Sequence, residues 1–182
     1  VSLYVIIDGS RSLTHEELRS KWDFATLIAL CASYIALATQ DPVTISILGG
    51  PHSPSYWGGQ AFSPLQSFLT NASRRVVSSD AHDLDIAEEA RRSATRVKFP
   101  GICLFISDFL APLDKVATAL GSFRARNMEI HAVQVLGSSD LTPAPSRDGA
   151  TMIDSETGIE RGVALDDESR KLYADKIGRA HV

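Results

Sequence analysis

The chain is poor in cysteine and has no dense run of positive charge. Its two cysteines, Cys31 and Cys103, each lie within an apolar run, which predicts small buried side chains in reducing surroundings rather than a disulfide or a metal pair. The net charge of −4, without a basic cluster, argues against non-specific nucleic-acid binding. The 182 residues, 44% of them hydrophobic, are typical of a single globular domain with an enclosed core.

The chain also lacks an apolar run of the length that a bilayer requires. Residues 24–38 are apolar almost throughout, but about 15 positions fall short of the roughly 20 needed to span a membrane. We therefore predict a central helix over residues 14–39 that is amphipathic in its first turns and, over residues 24–38, apolar on nearly all sides and buried. Thr14 and Glu17 have capping-box spacing, which places the start of this helix at Thr14.

Neither end of the chain has a native pattern. It begins without a methionine, inside an apolar run, and residues 177–182 read IGRAHV, a break from the helical pattern before them. A commonly used sequencing adapter, translated in one frame, spells the same six residues. We expect one domain over residues 1–176, truncated at both ends, followed by a non-native tail at 177–182.

Between these ends, apolar runs alternate with amphipathic segments. Such alternation indicates βαβ units, a mostly parallel sheet and right-handed crossovers that place helices on both faces. The predicted fold class is therefore a doubly wound α/β fold. We predict a hairpin around residues 155–158 and a last helix that begins at Asp166. The predicted strands are residues 3–7, 43–48, 102–106 and 129–136, and the further helices are 64–75, 84–97 and 112–126.

Polar side chains follow two of these strands directly. Asp8, Ser10 and Ser12 come after the first strand, and Asp108 comes after the third. Because ligands bind at the carboxyl edge of open α/β sheets, and hard cations prefer oxygen ligands, these side chains predict a divalent-metal site. The alternative is that Asp8 and Ser10 only satisfy backbone groups of a tight turn.

The stretches VIIDGSRS, DPVTISILGG, LFISDF and DSETG resemble von Willebrand factor A-like domains of bacteria, and more narrowly the domain-of-unknown-function family fifty-eight. The resemblance covers residues 2–176 and implies a Rossmann-type fold with a metal-ion-dependent adhesion site. By that resemblance Ser10 and Ser12 bind Mg²⁺ (or Mn²⁺) directly, while Asp8 and Asp108 act through water. A partner protein then supplies an acidic residue to the ion.

The same resemblance implies the setting of the domain. Its parent protein is expected to be membrane-anchored, with this domain cytoplasmic and in partnership with a MoxR-type AAA+ ATPase during complex assembly or maturation. Family members carry a threonine ligand where this chain has His82, followed by Asp83. These two residues are candidates for an accessory place near the metal. The alternative, which we favour because imidazole is a poor Mg²⁺ ligand, is that His82 is simply solvated in a polar loop. A metal-free scaffold domain therefore remains an alternative.

The sequence offers no pairing of a nucleophile with a base, and we expect a non-enzymatic protein-interaction module. The enzymatic alternative is a haloacid-dehalogenase-like phosphohydrolase, in which Asp8 would be the nucleophile. Such enzymes use a second acid two residues later as general acid. Ser10 occupies that position here, and a hydroxyl cannot replace a carboxylic acid in that role.

Overall fold

The computed structural model describes residues 1–14, 19–77, 84–137, 140, 151–153 and 160–162. Strands and helices alternate over most of this range, as the apolar pattern predicts. The strands are β1 (Ser2–Ile7), β2 (Val43–Ile47), β3 (Gly101–Ser107), β4 (Met128–Gln134), β5 (Thr151–Ile153) and β6 (Glu160–Gly162). The helices are α1 (Arg11–Thr14), α2 (Arg19–Ala38), α3 (Phe62–Val77), α4 (Ile86–Ala94) and α5 (Leu113–Arg124).

The first four strands form one parallel sheet in the order β2-β1-β3-β4. The central strand β1 is rich in β-branched residues and is paired on both sides, with Ile7 opposite Ile47 of β2 and Ile106 of β3. This register ends β1 and β3 at the same level. The residues that follow them, Asp8 and Asp108, therefore leave the same edge of the sheet.

Helices cover both faces of the sheet, which confirms the predicted α/β class and its doubly wound arrangement. Alternate residues of β1 enter two separate cores: Val5 and Ile7 pack with α2 and α3, while Tyr4 and Ile6 pack with α4 and α5. Strands β5 and β6 pair antiparallel, in agreement with the predicted hairpin. The last predicted helix, from Asp166, lies outside the described residues.

The predicted start of the long helix is wrong. Thr14 lies within the helical turn α1, which begins at Arg11, and its hydroxyl donates to the Ser10 carbonyl at 2.9 Å. An N-cap residue has non-helical backbone angles and accepts hydrogen bonds through its side chain. Ser10, whose carbonyl accepts from the Leu13 and Thr14 N–H groups, precedes this first helical turn.

The predicted burial of α2 on all sides is also wrong. Trp22, Ala25 and Ala29 face the sheet, but four large apolar side chains on the outer side are between 53% and 64% exposed. Cys31 is exposed as well, which corrects its predicted burial, whereas Cys103 is buried. The four outer side chains are Phe24, Leu27, Tyr34 and Ile35.

Within the described part of the chain, α2 is also the one helix long and apolar enough, by length and composition, to cross a membrane. Core helices of globular proteins meet the same criterion. In this structure the charged end of Lys21 is buried inside the protein, and the inner stripe of α2 packs on β1 and β2. In this structure α2 is therefore a helix packed on one face of the sheet.

Candidate metal site at the carboxyl edge of the sheet

Asp8 extends β1 into a tight loop. Its backbone N–H donates to the Ile106 carbonyl at 2.9 Å, which prolongs the pairing with β3. The next residue, Gly9, passes so close to the end of β2 that an added Cβ would lie 2.2 Å from the Leu48 carbonyl oxygen. Glycine at this position therefore sets the path of the loop that presents Ser10 and Ser12.

The two serines of this loop bring their hydroxyls together. Ser10 Oγ and Ser12 Oγ are 3.0 Å apart, and both residues are buried. The Ser10 backbone N–H donates to Asp8 Oδ1 at 2.9 Å, which closes the loop on itself. Three side chains at alternate positions thus place oxygen atoms in one small region, as the sequence predicts.

Ser107 connects this loop to the neighbouring strand. Its hydroxyl donates to Asp8 Oδ2 at 2.5 Å and accepts the Phe109 N–H at 2.9 Å. Phe109 has a φ of 53°, so the chain turns sharply after Asp108. The short polar segments after β1 and β3 are consequently held against each other by one serine.

Asp108 is held by a different kind of partner. Its Oδ2 accepts from Lys21 Nζ at 3.2 Å, and its Oδ1 accepts from the Leu110 N–H at 3.2 Å. Lys21 also donates to Asp140 Oδ2 at 3.0 Å, and that oxygen accepts the Gly137 N–H at 2.7 Å. Lys21 and Asp108 are both buried, so this three-residue ionic cluster is shielded from water.

Burial in this region changes the acidity of Asp8. The pKa of Asp8 is raised from 3.8 to about 6, mostly because the carboxyl is removed from water and secondly because the Asp108 carboxylate is nearby. Hydrogen bonds from Ser107 and Ser10 act in the opposite direction by stabilising the ionised form. Asp8 is therefore harder to ionise than a solvent-exposed aspartate.

The structure brings four predicted residues to one edge of the sheet: Asp8, Ser10, Ser12 and Asp108. The predicted accessory residues His82 and Asp83 lie outside the described residues. Lys21, Ser107 and Asp140 are further residues at this edge that the sequence did not predict. Ser107 stands next to a predicted site residue and could have been found by position, whereas Lys21 and Asp140 have no local signal that links them.

The donors present fit a hard cation by their chemistry. Among the described residues, no three His, Cys, Asp or Glu side chains are grouped as metal ligands, so an ion here would depend on the serine hydroxyls as well as the carboxylates. Oxygen donors of these two kinds suit Mg²⁺. Close to Asp108, Gln134 donates through Nε2 to the Asp108 carbonyl at 2.9 Å, and its buried Oε1 has no partner among the described residues.

Comparison with known proteins finds similarity of fold. No protein-family model matches the chain, and no curated protein matches it. An aerotolerance-related membrane protein from Bacteroides fragilis matches with a TM-score of 0.56 and 14% identity, over 98% of this chain and 88% of that one. BatB from Bacteroides thetaiotaomicron matches with a TM-score of 0.52 and 14% identity, over 98% and 87% of the two chains. Together with the parallel sheet, these matches support a von Willebrand factor A-like, Rossmann-type fold.

Proposed function

We propose that this domain is a non-enzymatic protein-interaction module, of the kind in family fifty-eight, that binds Mg²⁺ or Mn²⁺ at the carboxyl edge of its sheet. The observation that supports this site most directly is that the Ser10 and Ser12 hydroxyls lie 3.0 Å apart, beside the buried carboxylate of Asp8. Asp108 follows the adjacent strand and is close enough to raise the pKa of Asp8. Both serines would hold the ion through their hydroxyls.

The charge of the site supports a divalent ion. Three carboxylates, those of Asp8, Asp108 and Asp140, are accompanied by one ammonium, that of Lys21. When all four are ionised the net charge is −2, in surroundings that oppose uncompensated charge. A bound divalent cation would bring this net charge to zero.

We infer that the partner contributes a carboxylate to the ion, since serine hydroxyls and a few acids leave an octahedral shell incomplete. The family resemblance makes a MoxR-type AAA+ ATPase the first partner to test. The similar Bacteroides fragilis protein is described as a membrane protein. That description agrees with our proposal of a membrane-anchored parent that presents this domain in the cytoplasm.

The chemistry of Asp8 supports a binding role over phosphohydrolysis. A nucleophilic role for Asp8 would need an acid near the leaving group, and the residue two positions on is Ser10. Ser107 and the Ser10 backbone instead occupy both Asp8 oxygens with hydrogen bonds. Such an arrangement fixes a ligand in place rather than freeing it to attack.

One observation favours the second candidate, a metal-free scaffold. The Lys21 ammonium already provides Asp108 and Asp140 with a cationic partner at 3.2 and 3.0 Å. In that case the cluster would stabilise the fold and the loop of Ser10 and Ser12 would have no ion. Direct measurement of metal binding separates the two candidates.

The test is titration calorimetry with MgCl₂ and MnCl₂ after treatment with EDTA, with melting curves in parallel. An ion at about 100 times its dissociation constant stabilises the folded state by about 2.7 kcal/mol, which is readily seen as a higher melting temperature. The test variant is Ser12→Ala, because the Ser12 hydroxyl contacts only Ser10 among the hydrogen bonds described. We expect this variant to fold and to bind the ion more weakly.

The matched control is Ser67→Ala, which removes an exposed hydroxyl from α3 that donates only to its own helix. It should bind as the wild type does. Binding that is equal in Ser12→Ala and wild type would contradict the site, and absence of binding in the wild type would favour the scaffold. Co-purification with a MoxR-type ATPase in Mg²⁺, lost in EDTA and in Ser12→Ala, would establish the partner.

A further inference from the structure

Lys21 occupies an unusual position for a lysine. It lies in the first turn of α2, and its side chain is 1% exposed. Its ammonium reaches two carboxylates that are 87 and 119 residues away in the chain, Asp108 and Asp140. A buried charge is tolerated only when it is paired and hydrogen-bonded, so these two contacts explain how Lys21 can be inside the protein.

We propose that the Lys21 ammonium is a built-in counter-cation that offsets the negative charge of the carboxylates at this edge while no divalent ion is bound, and that it weakens the attraction of the site for that ion. This inference rests on the proposed function and adds a residue that the sequence pattern does not contain. Lys21 acts through Asp108 and is therefore a positioning residue. It sets the charge that the incoming ion meets.

The geometry indicates that Lys21 acts mainly through its charge. Asp108 keeps the Leu110 N–H on Oδ1, and Asp140 keeps the Gly137 N–H on the oxygen that contacts Lys21. Backbone donors therefore continue to hold both carboxylates if the ammonium is removed. Loss of Lys21 changes the charge of the site from −2 to −3 more than it changes where the carboxylates lie.

Asp140→Asn changes the net charge of the site in the opposite direction. Asparagine at this position can still accept from the Gly137 N–H, while the net charge of the site falls from −2 to −1. Removal of a positive charge and removal of a negative charge should therefore move metal affinity in opposite directions. At separations of a few ångströms, even a well-screened unit charge alters affinity by about tenfold or more.

The experiment measures the Mg²⁺ dissociation constant by calorimetry, and melting temperatures in EDTA and in MgCl₂, for four proteins. They are wild type, Lys21→Met, Asp140→Asn and the control Lys98→Met, which removes an exposed lysine. We expect Lys21→Met to melt at a lower temperature in EDTA, to bind Mg²⁺ about tenfold more tightly, and to gain more melting temperature from Mg²⁺ than wild type. Asp140→Asn should bind about tenfold more weakly, and Lys98→Met should match wild type.

If Lys21→Met folds only in MgCl₂, the ion has replaced the ammonium and the proposal is supported. If Lys21→Met is unfolded in both buffers, the Mg²⁺ affinity of Asp140→Asn decides: weaker binding than wild type supports the proposal, and equal binding overturns it. If wild type binds Mg²⁺ and the folded variants bind it with the same affinity, the role of Lys21 is overturned but the proposed function is not. No binding by wild type, with binding by Lys21→Met, overturns the proposed function but supports Lys21 as a counter-cation. No binding by any of the four overturns both.

Discussion

Asp8 and Asp108 follow adjacent parallel strands at the same edge of one sheet, and both are buried, yet their surroundings differ in charge. Among the described residues, Asp8 receives neutral donors alone, from Ser10 and Ser107, whereas Asp108 receives the Lys21 ammonium. Burial raises the pKa of Asp8 to about 6. Two acids in equivalent places of the fold can thus have opposite effects on stability, because the partner of each decides whether its charge is compensated.

The largest effect is expected from Asp108→Asn. This change removes one partner of a buried ion pair and leaves Lys21 with Asp140 alone, and such removals cost about 3 kcal/mol or more. Urea unfolding in EDTA at neutral pH should show this loss. The control Glu129→Gln, at an exposed position near the start of β4, should change stability little. A loss below about 1 kcal/mol for Asp108→Asn would show that its charge is not needed.

Asp8→Asn should reveal the opposite behaviour through pH. The folded-state pKa of Asp8 is raised from 3.8 to about 6, so the folded protein favours the protonated acid. Its stabilising contribution is present below pH 3.8 and is lost as pH rises through about 6. From pH 4 to 7.5 in EDTA, wild type should lose about 2 kcal/mol of stability relative to Asp8→Asn. A difference that stays constant over this range would contradict the raised pKa.

Ser107→Ala gives the smallest effect and tests the link between the two loops. The variant loses the hydroxyl that donates to Asp8 and accepts from Phe109, which should cost about 1 kcal/mol. It should also increase the pH dependence assigned to Asp8, because a hydrogen bond that favours the ionised acid is gone. Unfolding curves at pH 4 and 7.5 measure both, with Ser67→Ala as control. Unchanged pH dependence would separate Ser107 from the titration of Asp8.

The order of strands and helices could be predicted because each strand is a short apolar run that ends in a polar turn. For α2, the sequence could not show which face is buried against the sheet and which is exposed. Its inner residues, such as Ala25 and Ala29, and its outer residues, such as Leu27 and Ile35, are all apolar, so the period that marks a buried face is missing. The position of α2 over β1 and β2, which exposes the outer face, depends on contacts distant in sequence.

The candidate site likewise has one part that the sequence predicts and another part that it does not. Asp8, Ser10 and Ser12 are neighbours in sequence, and the end of a buried strand marks them and Asp108. The ion pairs of Lys21 arise only after strands β1, β3 and β4 are side by side. No spacing rule connects a lysine at the start of a helix with an aspartate 119 residues later, so the counter-cation was visible only in the structure.

The parallel order of the sheet also determines when this site can form during folding. Asp8 and Ser107 are 99 residues apart, and β1 pairs with β3 across almost the same length of chain. Closing so long a loop is slow compared with forming a helix or a hairpin. A chain that has emerged from the ribosome only as far as β2 already contains Asp8, Ser10, Ser12 and Lys21 but not Ser107, Asp108 or Asp140. These side chains at the edge of the sheet therefore come together only in a chain whose central strands have all been synthesised and paired.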